Sequence, residues 1–235
     1  MRIGFIGDSL TQGEPGCAYV ARLRRALPEH RLVNLGVGGD TVSSLLHRIR
    51  RLPRRARFDL AFLWVGVNDF VPEKRGRVRV TGTLMPQRPA VDMGTFRVDY
   101  AAALDVLRAL STRVVAVSPL FKGEWADDPL NQGLKVMTEI IREVATERGD
   151  VTFLDLRTEM IARLIESPGP DYGPGKPFRV LWDVLTARSD AVIDRRATRR
   201  GYRYSLDGLH LNTRGADYVT ERFRNAIKRE IRRQP

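Results

Sequence analysis

Five short apolar segments, separated by segments with helical periodicity, constrain the fold of this chain most strongly. The apolar segments are residues 3–6, 32–35, 60–65, 114–117 and 151–154, and the predicted helices are residues 18–27, 41–52, 96–110, 130–147 and 213–232. Parallel strands need long crossover connections, and helices that cover both faces of a sheet leave its strands apolar throughout. The alternation therefore predicts an α/β fold with a five-stranded parallel sheet.

One domain is predicted over residues 1–235, because a chain of this length with 43% hydrophobic residues can bury a single core. Two long connections interrupt the alternation, at about residues 70–95 and 166–205. Connections of this length are typical of functional loops or lids. In the second one, Val180, Leu181, Val184 and Leu185 have helical spacing, which favours a covering helix.

The sequence predicts a cytoplasmic protein. No apolar run approaches the roughly 20 residues that a membrane span needs, and the N-terminus enters a strand without the regions of a secretory signal. Cys17 is the only cysteine, so no intramolecular disulfide can form, in agreement with a reducing compartment. A mature secreted chain stays open as an alternative.

The net charge of +12 raises the question of a polyanionic partner. Arginines cluster at residues 50–57 and 195–203, but neither cluster has the interleaved aromatic residues or the helix-turn-helix pattern of nucleic-acid binding. Arg outnumbers Lys by 35 to 5, which codon bias explains equally well. We therefore interpret the clusters as solvated surface and do not expect a nucleic-acid partner.

Polar segments follow the first three predicted strands, at residues 7–9, 36–41 and 66–69. In a doubly wound sheet, ligands bind at the carboxyl ends of the strands, so these segments are expected to converge on one crevice. Ser9 lies where the first strand ends and a helix begins, a common place for a catalytic nucleophile. Taken alone, Ser9 is better interpreted as a helix cap.

A serine nucleophile needs a base, and that base works best when a third group orients it. His210 is the best candidate for the base, since His30 and His47 fall in a turn and within a helix. Asp207 precedes His210 by three residues and can reach the far imidazole nitrogen if the segment forms a tight turn. We therefore predict Ser9, His210 and Asp207 as the catalytic residues.

Acyl transfer also needs hydrogen-bond donors for the developing oxyanion. The Ser9 N–H can serve at a helix N-terminus, and Gly39 can bring a second N–H because no side chain blocks close approach. The Asn68 side-chain amide can supply a third donor, although Asn68 with Asp69 also fits an Asx turn. The predicted oxyanion hole thus comprises Ser9, Gly39 and Asn68.

Four segments in this order resemble the four sequence blocks of the GDSL or SGNH hydrolases: Gly7-Asp8-Ser9-Leu10, Asn34-Leu35-Gly36 with Gly39, Gly66-Val67-Asn68-Asp69, and Asp207-Gly208-Leu209-His210. The resemblance implies that Ser9, Gly39, Asn68 and His210 correspond to the invariant residues of the family. It further implies a three-layer α/β/α, flavodoxin-like fold and the hydrolysis of esters, thioesters or related acyl groups without a metal. The long connections exceed those of compact family members, so the resemblance does not extend to substrate class.

Other features add little chemistry. Trp125 and Trp182 fall near the expected carboxyl edge of the sheet, and we hypothesise that they line a substrate pocket. The alternative is that both side chains have an ordinary packing role. The segment around Ser9 lacks the second glycine of a G-x-S-x-G elbow, which argues against the α/β-hydrolase fold. No residue spacing suggests zinc, and we expect no metal or other cofactor.

The predicted function is hydrolysis of carboxylic esters of small molecules through an acyl-enzyme on Ser9. A deacetylase of acetylated sugars, a lysophospholipase and a thioesterase all fit the sequence. Alternatives are a transacylase that uses the same site and a non-catalytic basic binding module on the same scaffold. Oligomeric state does not follow from the sequence.

Overall fold

The computed structural model describes residues 1–53, 55–69, 92–171 and 177–233, and for residues 177–181 it describes the backbone alone. The predicted connection at 70–95 lies outside these residues except for its last four. No helix in the described part of the chain is both long enough and apolar enough to cross a membrane.

Within the described residues, the sheet has five strands in the order β2-β1-β3-β4-β5, and all neighbouring strands are parallel. The strands are β1 (Arg2–Gly7), β2 (Arg31–Gly36), β3 (Leu60–Trp64), β4 (Val114–Val117) and β5 (Val151–Leu154). The central strands β3 and β4 are buried at every position. The prediction of a five-stranded parallel sheet is confirmed.

The described residues form nine helices around this sheet. They are α1 (Ser9–Gln12), α2 (Tyr19–Ala26), α3 (Val42–Ile49), α4 (Met93–Leu110), α5 (Pro129–Glu147), α6 (Arg157–Glu166), α7 (Pro177–Thr186), α8 (Asp190–Arg199) and α9 (Thr213–Arg232). The five predicted helices are confirmed within three residues at each end, and α9 has its predicted bounds. The covering helix expected in the second long connection is α7, whereas α6 and α8 were not predicted.

Polar side chains begin several of these helices. Asp92 accepts the N–H of Thr95 at the start of α4, and Asn212 accepts the N–H of Gly215 at the start of α9. Asp128 caps α5, where Pro129 occupies the first turn. These caps satisfy N–H groups that have no partner within the helix.

Helices cover both faces of the sheet and complete a three-layer α/β/α architecture. On one face α2 packs against α9, and on the other α3, α4 and α5 pack in series. Phe223 of α9 is fully buried, with its ring centroid 4.9 Å from that of Phe62 on β3 and 4.8 Å from that of Tyr19 on α2. The core therefore extends from the sheet into the helical layers, and the carboxyl ends of β1, β2 and β3 open onto one edge.

Candidate active site

Ser9, His210 and Asp207 form a hydrogen-bonded series at this edge. The Ser9 Oγ lies 3.1 Å from the His210 Nε2, and the His210 Nδ1 lies 2.8 Å from the Asp207 Oδ2. Ser9 and His210 are only 6% and 8% exposed. The structure thus brings together the three residues that the sequence predicts as nucleophile, base and orienting acid.

Local geometry places Ser9 at the first position of α1. The Asp8 carboxylate accepts the N–H of Leu10 at 2.9 Å and begins the helix. Gly13, with φ of 89°, ends the helix only four residues later. Gly7 permits the close approach of α1 to the sheet, since a Cβ at this position would lie 2.3 Å from the Thr11 Oγ1.

The Asp207 segment forms the tight turn that the sequence requires. The Oδ1 of Asp207 accepts the N–H groups of Leu209 and His210 at 3.1 and 2.8 Å, while its Oδ2 contacts the ring. The N–H of Leu206 donates to the carbonyl of His210 at 2.6 Å, which closes the turn. Gly208 has φ of 90°, a left-handed conformation that favours glycine.

Burial and charge oppose each other in this pair. Burial lowers the pKa of His210, but the charge and hydrogen bond of Asp207 raise it, and the net pKa lies above its ordinary value. Burial raises the pKa of Asp207, but the charge and hydrogen bonds of His210 lower it, and the net pKa lies below its ordinary value. Both shifts favour an ionised carboxylate that stabilises a protonated imidazole.

The segments after β2 and β3 are joined by hydrogen bonds. The Asn68 Nδ2 donates to the carbonyl of Asp40 at 2.9 Å, and the Asp69 carboxylate accepts the N–H of Val42 at 3.0 and 3.1 Å. Gly39, with φ of 77°, lies in the turn that precedes Asp40. Gly39 and Asn68 therefore belong to one connected loop pair beside Ser9.

The two acidic residues in these loops have different roles. The N-cap of α3 is Thr41, which accepts the N–H of Ser44. The neighbouring Asp40 carboxylate instead binds the Arg48 side chain at 2.7 Å. Asp69 joins the two loops through the N–H of Val42, and its own N–H donates to the carbonyl of Gly66 in a turn.

Sequence reasoning missed Lys122, a buried cation between β4 and α5. Its Nζ donates to the carbonyl of Val67 at 3.1 Å, one residue before Asn68. Burial lowers the pKa of Lys122 to about 8, against the opposing charges of Asp69 and Asp8. The available signal was a charged residue shortly after the fully apolar strand β4.

Trp125 and Trp182 are 46% and 61% exposed, which does not fit ordinary core packing. Trp125 follows Glu124, whose buried carboxylate binds backbone N–H groups of residues 203–205. Trp182 precedes Asp183, which is ion-paired with α8. Both tryptophans are therefore adjacent in sequence to residues anchored to the chain that leads to Asp207.

In the described part of the chain, no group of three His, Cys, Asp or Glu residues is arranged so that it could hold a metal ion. The three-layer fold agrees with the class that the sequence blocks indicate, the SGNH carboxylic ester hydrolases, and the comparison with known families shows that class directly. A family model for the GDSL-like lipase/acylhydrolases matches residues 5–218, and the chain belongs to that family.

Solved structures of esterases have the same fold. The acetyl xylan esterase AlAXEase is 23% identical with a TM-score of 0.66, and the match covers 97% of this chain and 100% of that one. The acetylxylan esterase Axe2 from Geobacillus stearothermophilus is 18% identical with a TM-score of 0.62, over 96% and 93% of the two chains. A lipase/acylhydrolase from Enterococcus faecalis is 18% identical with a TM-score of 0.63, over 97% and 95%. Among curated protein sequences, none matches this chain significantly.

Proposed function

We propose that this protein removes acetyl groups from acetylated carbohydrates through an acyl-enzyme on Ser9. The observation that carries the proposal is the series from the Ser9 Oγ to the His210 Nε2 at 3.1 Å and from the His210 Nδ1 to the Asp207 Oδ2 at 2.8 Å. These separations suit proton transfer from a hydroxyl to a base whose tautomer is fixed by a carboxylate.

In the first half-reaction, the Ser9 Oγ attacks the acetyl carbonyl carbon while the His210 Nε2 accepts the hydroxyl proton. The Asp207 carboxylate accepts the hydrogen bond from the His210 Nδ1 and stabilises the imidazolium. His210 then donates its proton to the departing sugar oxygen as the C–O bond breaks. In the second half-reaction, His210 deprotonates water, which attacks the acyl-enzyme and releases acetate and the Ser9 hydroxyl.

The oxyanion of each tetrahedral intermediate would accept hydrogen bonds from Ser9, Gly39 and Asn68. The N–H of Ser9 is at the first position of a helix, where backbone donors have no partner within the helix. The Asn68 Nδ2 carries two hydrogens, and its bond to the carbonyl of Asp40 uses one of them. We assign the second hydrogen of Asn68 and the N–H of Gly39 to the oxyanion.

Two observations support a carbohydrate as the substrate. Two of the structurally similar proteins named above are acetyl xylan esterases. Trp125 and Trp182 are exposed and follow or precede residues that bind the chain leading to Asp207, and exposed aromatic rings suit stacking with the apolar faces of sugar rings. A cytoplasmic location stays a prediction from the sequence.

The nucleophile is tested by Ser9→Ala. We expect this variant to lose hydrolysis of p-nitrophenyl acetate and covalent labelling by a fluorophosphonate, because the Oγ that attacks is gone. Ser43→Ala is the matched control, since the Ser43 hydroxyl binds Asp99 rather than a histidine, and it should retain both properties. Labelling that persists in Ser9→Ala would contradict the assignment of the nucleophile.

The substrate is tested by comparing acetylated xylo-oligosaccharides with longer-chain p-nitrophenyl esters, lysophospholipids and acyl thioesters. Trp125→Ala and Trp182→Ala are each expected to raise KM for the acetylated oligosaccharide about tenfold, equivalent to roughly 1.4 kcal/mol of binding. Neither substitution should change KM for p-nitrophenyl acetate, which has no sugar rings. A preference for lysophospholipids or thioesters would exclude the carbohydrate.

The alternatives have their own signatures. A transacylase would transfer the acetyl group to an added alcohol in preference to water, so product analysis with competing acceptors separates it from a hydrolase. A basic binding module would bind nucleic acid with strong salt dependence and show no esterase activity.

A further inference from the structure

Glu124 lies between β4 and α5 and is completely buried. Its Oε1 accepts the N–H groups of Tyr204 and Ser205, both at 2.8 Å, and the hydroxyl of Ser205 at 2.7 Å. Its Oε2 accepts the N–H of Arg203 at 2.7 Å. A buried carboxylate is costly unless hydrogen bonds compensate it, and here all four donors come from one segment of three residues. The carboxylate therefore acts as a template for the backbone of residues 203–205.

The same hydrogen bonds continue into the Asp207 turn. The Ser205 Oγ, which donates to Glu124, accepts the N–H of Gly208 at 3.0 Å. The carbonyl of Gly208 accepts the N–H of Gly123, the neighbour of Glu124, at 2.6 Å. Residues 123 and 124 thus hold both the N–H and the carbonyl of Gly208, the residue that follows Asp207.

We propose that Glu124 is a positioning residue. It acts through Ser205 and Gly208 to hold the Asp207–His210 pair within hydrogen-bond distance of Ser9. This role rests on the proposed function of Ser9, His210 and Asp207. Glu124 touches no reacting atom. Its effect would come from the backbone of the turn that carries both partners of the nucleophile.

Small displacements of such a turn matter for catalysis, because a misplacement of about 1 Å can cost roughly 100-fold in rate. A role limited to folding would lower stability and leave the remaining folded enzyme with normal kinetics. A positioning role would lower kcat and also alter the titration of His210. Burial lowers the pKa of His210, and the charged groups Asp207, Asp8 and Asp183 raise it, with Asp207 ranking first among them.

The first test compares Glu124→Gln with Glu139→Gln on p-nitrophenyl acetate. The amide of Glu124→Gln can keep the Oε1 acceptor but opposes an N–H donor to that of Arg203, so we expect kcat to fall about tenfold with KM changed less than about twofold. The midpoint of the pH profile of kcat/KM should fall, because a displaced Asp207 raises the pKa of His210 less. Glu139 is the control, a glutamate on the exposed surface of α5 that pairs with Arg142, and its variant should match the wild type.

The second test uses Ser205→Ala, which removes a single hydroxyl and decides the question if Glu124→Gln does not fold. We expect a smaller decrease in kcat, about threefold to tenfold, with the same direction of change in the pH midpoint. The double variant Glu124→Gln/Ser205→Ala should lose less than the product of the two single losses, because both substitutions interrupt one connection.

Ser9→Ala, assayed in the same series, separates the two levels of the proposal. If Ser9→Ala is inactive while Glu124→Gln and Ser205→Ala have wild-type kcat and pH midpoint, the positioning role is wrong even when both variants unfold at lower temperature. If Ser9→Ala keeps its esterase activity, the proposed function is wrong and the positioning role falls with it. Reduced kcat with a lowered midpoint in both variants would support the role of Glu124.

Discussion

The imidazole of His210 is buried between the Ser9 hydroxyl and the Asp207 carboxylate. His210 could be chosen over His30 and His47 because those two fall in a turn and within a helix, whereas His210 follows a carboxylate by three residues. Its proton affinity, however, depends on distances and burial that a sequence does not contain. The pH dependence of the enzyme is therefore the most direct test of this residue.

We expect kcat/KM to rise with pH as His210 loses its proton, with a midpoint above the ordinary histidine value of about 6.5. Asp207→Asn should lower the midpoint and reduce kcat by roughly 1,000-fold to 10,000-fold, because the amide neither stabilises the imidazolium nor fixes the tautomer. Asp217→Asn is the control, since Asp217 is exposed and pairs with Arg22. A midpoint that is the same in Asp207→Asn and the wild type would contradict the pairing.

The buried carboxyl group of Asp8 is expected to make the free energy of unfolding depend on pH. Burial raises the pKa of Asp8 to about 7, although the N–H of Leu10 and the charge of His210 oppose the shift. Below about pH 4 the carboxyl is protonated in both the folded and the unfolded chain, and between about pH 4 and pH 7 only the unfolded chain readily releases the proton. The contribution of Asp8 to the free energy of unfolding is therefore full at low pH and falls as the pH rises towards 7.

Asp8→Asn removes this titration and keeps an oxygen that can accept the N–H of Leu10. Relative to the wild type, its free energy of unfolding should increase by about 4 kcal/mol between pH 4 and pH 8. Urea denaturation of both proteins at several pH values measures this difference. A difference that stays constant with pH would contradict the shifted pKa.

Among the secondary-structure elements, α7 and α8 are joined by a buried ion-pair contact that is not evident from the sequence pattern. Asp183 on α7 is 1% exposed and binds Arg196 and Arg200, each at 2.7 Å. Helix α8 was not predicted because it buries only Ile193 and Ala197, too few positions for a clear periodicity. Helix α6 does have apolar positions at helical spacing, with Met160 and Leu164 buried, so its sequence contains the pattern of a helix.

We expect Asp183→Asn to lower the free energy of unfolding by about 3 kcal/mol, because it leaves Arg196 and Arg200 without their anionic partner. Asp105→Asn is the matched control, since Asp105 pairs with Arg148 but is 54% exposed, and it should cost less than about 1 kcal/mol. Chemical denaturation monitored by circular dichroism measures both values. Equal losses would show that the burial of Asp183 does not determine its contribution.

For the whole molecule, the packing of aromatic side chains across the sheet supports the proposal that residues 1–235 fold as one domain. Phe223 contacts Tyr19 on α2 and Phe62 on β3, so one side chain joins two helices to the centre of the sheet. A core shared in this way should unfold cooperatively. Calorimetry is expected to show a single transition with equal calorimetric and van't Hoff enthalpies.

Phe223→Ala should lower the stability of that single transition by about 3 to 5 kcal/mol, because it leaves a cavity among buried rings. Val98→Ala provides the control, since Val98 on α4 is 66% exposed and its truncation should change stability by less than about 0.5 kcal/mol. Two transitions, of which Phe223→Ala shifts one alone, would contradict a single domain.

Much of the architecture could be predicted from the sequence because it is encoded by near neighbours in the chain. The short apolar runs of the strands, the junction at Ser9 and the three-residue spacing of Asp207 and His210 are local properties, and four ordered segments indicated the family. The elements β4, β5 and α9 have the bounds that the sequence predicts.

The tertiary structure alone decided the strand order and the long-range contacts of the buried charges outside the predicted site. Glu124 binds residues about 80 positions away, and Lys122 binds the carbonyl of Val67 across 55 positions. No sequence pattern predicts these pairs, because a buried charge binds whichever hydrogen-bonding backbone groups the folded chain brings near it. The sequence by itself thus determined the elements and the reacting groups, whereas the packed fold determined the contacts that hold those groups in place.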